Sequence, residues 1–265
     1  MYLDFYGLKQ VPFSITSDPQ FFFESSSHRE ALATLLYGIR EKKGIILITG
    51  EVGTGKTTLC KALLDKLDHN IKTSLILNPF FSSVQLIQAI IEDFGIRPDK
   101  KNKLALINNL NNFLIDVTLK GGGAVVIVDE AQNLTPNQLE QIRLLSNLET
   151  SKEKLLQIVL VGQPEIIEKL NQPRLRQIRQ RISVKYNLSP LREEEVAEYV
   201  NFRLKKAGQA DVKILPQSYK IIYQFSKGIP RLINILCDRA LLCGFAKEKK
   251  VLDEEVFRIC VEELI

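Results

Sequence analysis

The sequence has 265 residues, room for one large domain or a core domain plus a smaller one. Hydrophobic residues make up 45% and charged residues 25%, which excludes a chain too polar to build a core. The net charge of +5 suits anionic ligands but is too small to demand a nucleic acid.

No apolar run approaches the roughly 18 residues of a membrane span. The start, MYLDFYGLKQ, lacks the basic-then-apolar order of a signal peptide, so the expected location is the cytoplasm. Cys60, Cys237, Cys243 and Cys260 form no C-x-x-C pair, and His28 and His69 do not complete a ligand spacing. Reduced, mostly buried thiols are expected, and no zinc site.

In chain order, the first predicted helix covers about 28–43, with Ser27 and Glu30 at capping-box spacing and Gly44 as its stop. Five short apolar runs then read as strands: 45–49, 73–77, 124–128, 156–161 and 182–188. Helical patterns at about 56–67, 83–94 and 103–119 separate the first three strands. A fourth helix follows Thr135, where TPNQ supplies an N-cap, a proline at the first helical position and a glutamine three residues on. Strand–helix alternation with apolar strands predicts a parallel sheet covered on both faces. From Pro190 onward four helical stretches, at about 192–207, 216–227, 230–246 and 253–264, and no strand are expected. This divides the chain into an α/β domain (1–189) and a small all-helical domain (190–265).

The run IILIT leads into GEVGTGKTT. Gly50, Glu51, Val52, Gly53, Thr54, Gly55, Lys56, Thr57 and Thr58 thus form a candidate phosphate loop between a strand and a helix. Glycines let backbone N–H groups turn toward phosphate oxygens, and the helix that follows presents its positive end. Lys56 would reach the β- and γ-phosphates of ATP, and the Thr57 hydroxyl would bind Mg²⁺. The run AVVIVDEAQ places Asp129 and Glu130 at the end of a buried strand. There Asp129 would hold Mg²⁺ and Glu130 would polarise the attacking water. Gln163, in LVGQPE, comes out on the same sheet edge, either beside the γ-phosphate or simply as a turn residue before Pro164. In GIPR, Gly228 and Pro230 mark a break that puts Arg231 at a helix start, where it could sense the γ-phosphate.

These elements together resemble the AAA+ ATPases, and within them the general secretion pathway protein A (ExeA/GspA) type. The resemblance covers essentially the whole chain. It is carried by FYGLKQVPFSITSDPQFFFESSSHREAL at 5–32 and by GEVGTGKTT, VDEAQNL, LVGQPE, LRQIRQRI and GIPRLIN. It implies a P-loop NTPase fold with a helical lid, and an oligomeric, ring-forming ATPase that serves a cell-envelope secretion, pilus or exopolysaccharide system. It also implies that the segment 1–27 wraps the adenine side of the nucleotide, with Phe21, Phe22, Phe23 and His28 as candidates. In RLRQIRQR (174–181) it implies an arginine presented to the neighbouring subunit's ATP, Arg181 first and Arg179 second, with Arg174 and Arg176 at the surface or interface. Secretion-type members continue into a membrane span and a peptidoglycan-binding domain. The sequence ends at Ile265, so the expected likeness is to the compact relatives beside pilus and exosortase loci, with membrane association only through a partner. A DNA-bound, TniB-type transposition ATPase is the alternative, disfavoured by the absence of a zinc finger, an obvious helix-turn-helix or a strong basic tail.

Overall fold

The computed structural model describes residues 2–98, 100–151, 153–208 and 211–264. Its elements begin with helix α1 (Tyr2–Phe5), helix α2 (Ser26–Arg40), strand β1 (Ile45–Gly50), α3 (Lys56–Lys66), β2 (Ile71–Ile76), α4 (Ser83–Asp93) and α5 (Lys103–Leu119). They continue with β3 (Gly123–Val128), α6 (Pro136–Leu145), β4 (Gln157–Gly162), α7 (Glu165–Leu170), α8 (Arg176–Arg181) and β5 (Ile182–Leu188). The remainder comprises α9 (Glu193–Ala207), β6 (Lys213–Ile214), α10 (Pro216–Ser226), α11 (Pro230–Ala246), β7 (Val251–Leu252) and α12 (Glu254–Leu264). Two units emerge: a sheet unit of residues 29–51 and 59–188, and a helical unit of residues 1–28, 52–58 and 189–265. The sequence reading splits the chain once, at 189/190. The observed units differ in giving the N-terminal segment and the loop 52–58 to the helical side.

In the sheet unit the strand order is β2-β3-β4-β1-β5, and every pair is parallel. β1 and β4 are buried along their whole length, which is why they read as unbroken apolar runs. Leu86, Ile87, Ile90 and Ile91 of α4 pack in the same core as Leu106, Leu110 and Leu114 of α5. Each such side chain contributes roughly 1.5–3 kcal/mol when fully buried. Edge strand β5 instead alternates, with Ser183, Lys185 and Asn187 exposed. Parallel pairing brings the ends of β1, β3 and β4, at Gly50, Val128 and Gly162, to one carboxyl edge. α6 starts with the capping box expected at Thr135 and Gln138.

The helical unit holds a second core built from α9, α10, α11 and α12 together with Tyr6, Phe13 and Phe21 of the N-terminal segment. The Tyr6 hydroxyl contacts the carbonyls of Leu241 and Lys249, both at 3.1 Å. Arg203 is buried and donates to the Pro12 carbonyl at 2.6 Å and the Ser14 carbonyl at 3.1 Å.

Two expectations need correction. The C-terminal region is not free of strands: β6 and β7 pair in parallel, with Lys213 N–H on Lys250 O at 2.9 Å and Leu215 N–H on Leu252 O at 3.1 Å. Two residues are too few to leave a period in the sequence. The Ser27–Glu30 capping box does not form either. Glu195 of α9 accepts from both the backbone N–H and the hydroxyl of Ser26 at 2.9 Å, so the first N–H of α2 is satisfied from a distant element, while Ser25 Oγ takes the N–H of His28 at 3.3 Å. Ser27 Oγ accepts from Ser189 N–H, and Glu30 accepts from the Tyr186 hydroxyl. Among the described residues no helix is long and apolar enough to cross a membrane.

Candidate active site

The chain leaves β1 at Gly50, passes through Glu51 and the turn 52–55, and enters α3 at Lys56. α3 has 11 residues, long enough to present a helix dipole to phosphate at its first turn. Gly53 and Gly55 take φ of +83° and +95°, a region that L side chains rarely enter. Space is as strict as conformation. A Cβ on Gly53 would lie 2.7 Å from Arg231 Cβ, and one on Gly55 would lie 3.0 Å from His28 Nε2. Thr54 and Lys56 are buried, whereas Val52 is 50% exposed at the loop's tip. Thr57 and Thr58 are half-buried in the first turn of α3.

Two parts of the helical unit grip this loop. The Arg231 backbone N–H donates to Gly53 O at 3.2 Å, and its aliphatic stem lies across Gly53. The GIPR turn explains how Arg231 arrives there. Gly228 has φ +76°, and a Cβ on it would fall 1.9 Å from Leu191 O, so only glycine fits the turn. Pro230 then opens α11 at its first position. On the other side, His28 Nε2 is 3.1 Å from Thr54 O, and its Nδ1 is 2.7 Å from Ser25 Oγ. Burial pushes the His28 pKa down to about 4, although Thr54, Glu195 and Glu24 all act to raise it.

The three adjacent phenylalanines separate by environment. Phe21 is buried under the Arg203 guanidinium, 4.8 Å from its ring, and Phe23 packs on Tyr199 and Phe202. Both belong to the helical core. Phe22 is half-buried and meets the His28 ring edge-on at 5.4 Å, beside the phosphate loop.

In the sheet unit, Asp129 continues β3 by donating its N–H to Ile76 O at 2.8 Å, and it is 1% exposed. Its Oδ1 accepts from the Glu130 N–H at 2.9 Å. Glu130 adopts a left-handed backbone (φ 52°, ψ 36°), a conformation costly for a residue with a side chain. Its carboxylate is engaged: Gln132 Nε2 donates to Glu130 Oε2, and Gln163 Nε2 lies 3.5 Å from the same oxygen. The Gln132 side-chain carbonyl accepts from the Gln163 N–H at 3.0 Å, tying β3's end to β4's end. A Cβ on Gly162 would come within 2.8 Å of Gln132 Oε1, so the glycine in LVGQPE makes room for this amide. Lys169 of α7 donates to the carbonyls of Gln132 and Leu134 and holds the turn from behind; burial lowers its pKa. The sequence reading assigns no role to Gln132. Its signal is present in DEAQ, two residues past the glutamate, but nothing in the motif reveals that the amide turns back.

Arg181, the last of the arginines of 174–181, lies at the other end of the sheet. Ile182 pairs with Ile45, the first residue of β1, so Arg181 sits at the amino edge, roughly 17 Å of strand from Gly50. Arg181 is half-buried and draws the Glu149 carboxyl down electrostatically, as a lesser influence after the Lys154 hydrogen bond and charge. Arg179 is exposed and donates to Asn171 Oδ1 at 3.1 Å, Arg174 donates to Gln172, and Arg176 is exposed.

Residues 39–170 match the AAA_22 family model, an AAA domain. The chain is 46% identical over 248 residues to general secretion pathway protein A of Aeromonas hydrophila, a match covering 93% of this chain and 45% of that protein. It thus spans less than half the length of this relative. Among solved structures, it is similar to Aeropyrum pernix ORC2 (TM-score 0.68, 16% identity, 91% of this chain and 67% of that one). It is also similar to Pyrobaculum aerophilum Cdc6p (TM-score 0.67, 19% identity, 89% and 67%) and to the Thermotoga maritima RuvB branch migration motor (0.60, 18%, 89% and 68%). At these identities the likeness is one of fold. The chain has the AAA P-loop NTPase fold, with an AAA domain over residues 39–170, and over 93% of its length it is similar to general secretion pathway protein A.

Proposed function

We propose that the chain hydrolyses ATP to ADP and phosphate in a Mg²⁺-dependent reaction, and that it does so as an oligomer. The observation that carries this reading is the Glu130 carboxylate, fixed by Gln132 beside Gln163 at the carboxyl edge from which β1 feeds the phosphate loop. A carboxylate in one orientation can take the proton from an attacking water while the γ-phosphoryl group departs to it. The Thr57 hydroxyl and the Asp129 carboxylate are hard oxygen donors, a fit for Mg²⁺, which would neutralise charge on the β- and γ-phosphate oxygens. Lys56 supplies a point charge to the same oxygens. Gln163 orients the water or reads the γ-phosphate, and Arg231 reaches the nucleotide from α11. Phe22 is the aromatic left for the base. Arg181, or Arg179 in its place, serves a neighbouring subunit's ATP, because a strand length separates it from the carboxyl edge of its own sheet.

The likeness to general secretion pathway protein A supports a cell-envelope role: driving or regulating assembly of a secretion, pilus or exopolysaccharide system, at the inner membrane through a partner. Phosphate release tests the chemistry. Turnover should need ATP and Mg²⁺ and vanish in Lys56→Ala. Turnover that persists in Lys56→Ala or in chelator contradicts the reading. Stimulation by DNA and not by envelope proteins would move the assignment to the transposition-type alternative.

A further inference from the structure

We propose that His28 is a positioning residue for the phosphate loop: with Ser25 behind it, it holds the Thr54 carbonyl so that the Gly55 N–H faces the phosphates. This rests on the reading of the loop as an ATP site.

A carbonyl oxygen only accepts, so the 3.1 Å contact between His28 Nε2 and Thr54 O requires the proton on Nε2. The ring is buried and its ionisation is suppressed, so Nδ1 is then bare and accepts from the Ser25 hydroxyl at 2.7 Å. Ser25 Oγ itself accepts from the His28 backbone N–H at 3.3 Å, which keeps the hydroxyl in place. The result is a fixed chain of donors: Ser25 O–H to Nδ1, then Nε2–H to Thr54 O.

The consequence lies on the far side of one peptide. No peptide bond among the described residues is cis, and in a planar trans peptide the C=O and N–H point in opposite directions. A Thr54 carbonyl drawn to His28 therefore turns the Gly55 N–H away from it. The preceding peptide is treated likewise by a different element. Gly53 O accepts from the Arg231 N–H, which turns the Thr54 N–H to the opposite side. Two successive carbonyls of the loop are thus anchored outside it, one by the N-terminal segment and one by the start of α11. The glycines fit this arrangement, since a side chain at 55 would press on the His28 ring and one at 53 on Arg231. A loop whose N–H groups are already aimed has less orientational freedom to lose when the anion binds.

The part of the nucleotide affected is the β-phosphate, which backbone N–H groups of such loops enclose and which AMP lacks. Calorimetric titration of ATP and ADP, with AMP measured by displacement of ADP, should show His28→Ala weakening ATP and ADP by about tenfold or more. AMP should stay within about twofold. His28→Gln, whose amide N–H can reach the same carbonyl, should recover most of the loss. A merely structural role would lower all three affinities together and give no rescue, and either result overturns the proposal. So does unchanged ADP binding in His28→Ala. If that variant does not fold, Ser25→Ala decides: a selective loss of ADP over AMP affinity is expected, and no loss overturns the proposal. The underlying reading fails separately, by wild-type protein binding neither ATP nor ADP.

Discussion

Gln132 donates its side-chain amide to the Glu130 carboxylate while its carbonyl oxygen takes the N–H of Gln163. One amide therefore fixes the proposed base and the adjacent strand end at once. Gln132→Ala should lower kcat by roughly ten- to a hundredfold, a fraction of the 10²–10⁴ that a positioned base supplies. KM for ATP should stay within about threefold, since the side-chain contacts of Gln132 go to Glu130 and Gln163. Steady-state phosphate release checks this, and a change in KM alone would contradict it.

Arg181 stands at the amino edge of its own sheet, with Glu149 as its electrostatic neighbour. Arg181→Ala should bind ATP as wild type does and lose the part of turnover that rises with protein concentration. Arginines placed this way in other NTPases are worth roughly 10³–10⁵ in rate. Turnover titrated against protein concentration, with the oligomeric state measured alongside, decides between Arg181 and Arg179. An unchanged rate in a demonstrated oligomer removes Arg181 from the role.

Acid should weaken the helical unit. Burial holds the His28 pKa near 4 against an ordinary 6.5, so the unfolded chain binds the extra proton between those values. Stability from the uncharged ring is complete above about pH 6.5 and is lost as the pH falls toward 4. The full shift corresponds to roughly 3 kcal/mol. For Glu195, burial pushes the carboxyl up but hydrogen bonds from Ser26 and Arg192 outweigh it, and the net shift is downward. Its contribution is likewise present above the ordinary carboxylate range and lost on acidification. Denaturant melts at pH 7 and pH 4.5 should differ less in His28→Gln than in wild type.

The parts of this account legible in the sequence are those where chemistry and local order coincide. β1, β3 and β4 are apolar runs because both faces are covered. The turn GEVGTGKTT, the acids after β3 and the GIPR break each sit at a junction that their own residue types create. What stayed hidden depends on distant partners. Glu195 caps α2 from 169 positions away, and no spacing near Ser26 shows it. The roles of Phe21, Phe22 and Phe23 divide only once Arg203, Tyr199 and His28 are in place around them. Gln132 was within reach of the motif, but its turn back toward Glu130 requires the left-handed backbone at 130 and the missing side chain at Gly162.

The most direct test is turnover and bound nucleotide in Glu130→Gln. A neutral amide keeps the size of the side chain and cannot accept the water's proton. The account predicts that phosphate release falls by roughly 10²–10⁴ while ATP binds as in wild type and is recovered intact from the protein. Turnover near the wild-type rate in Glu130→Gln would contradict it.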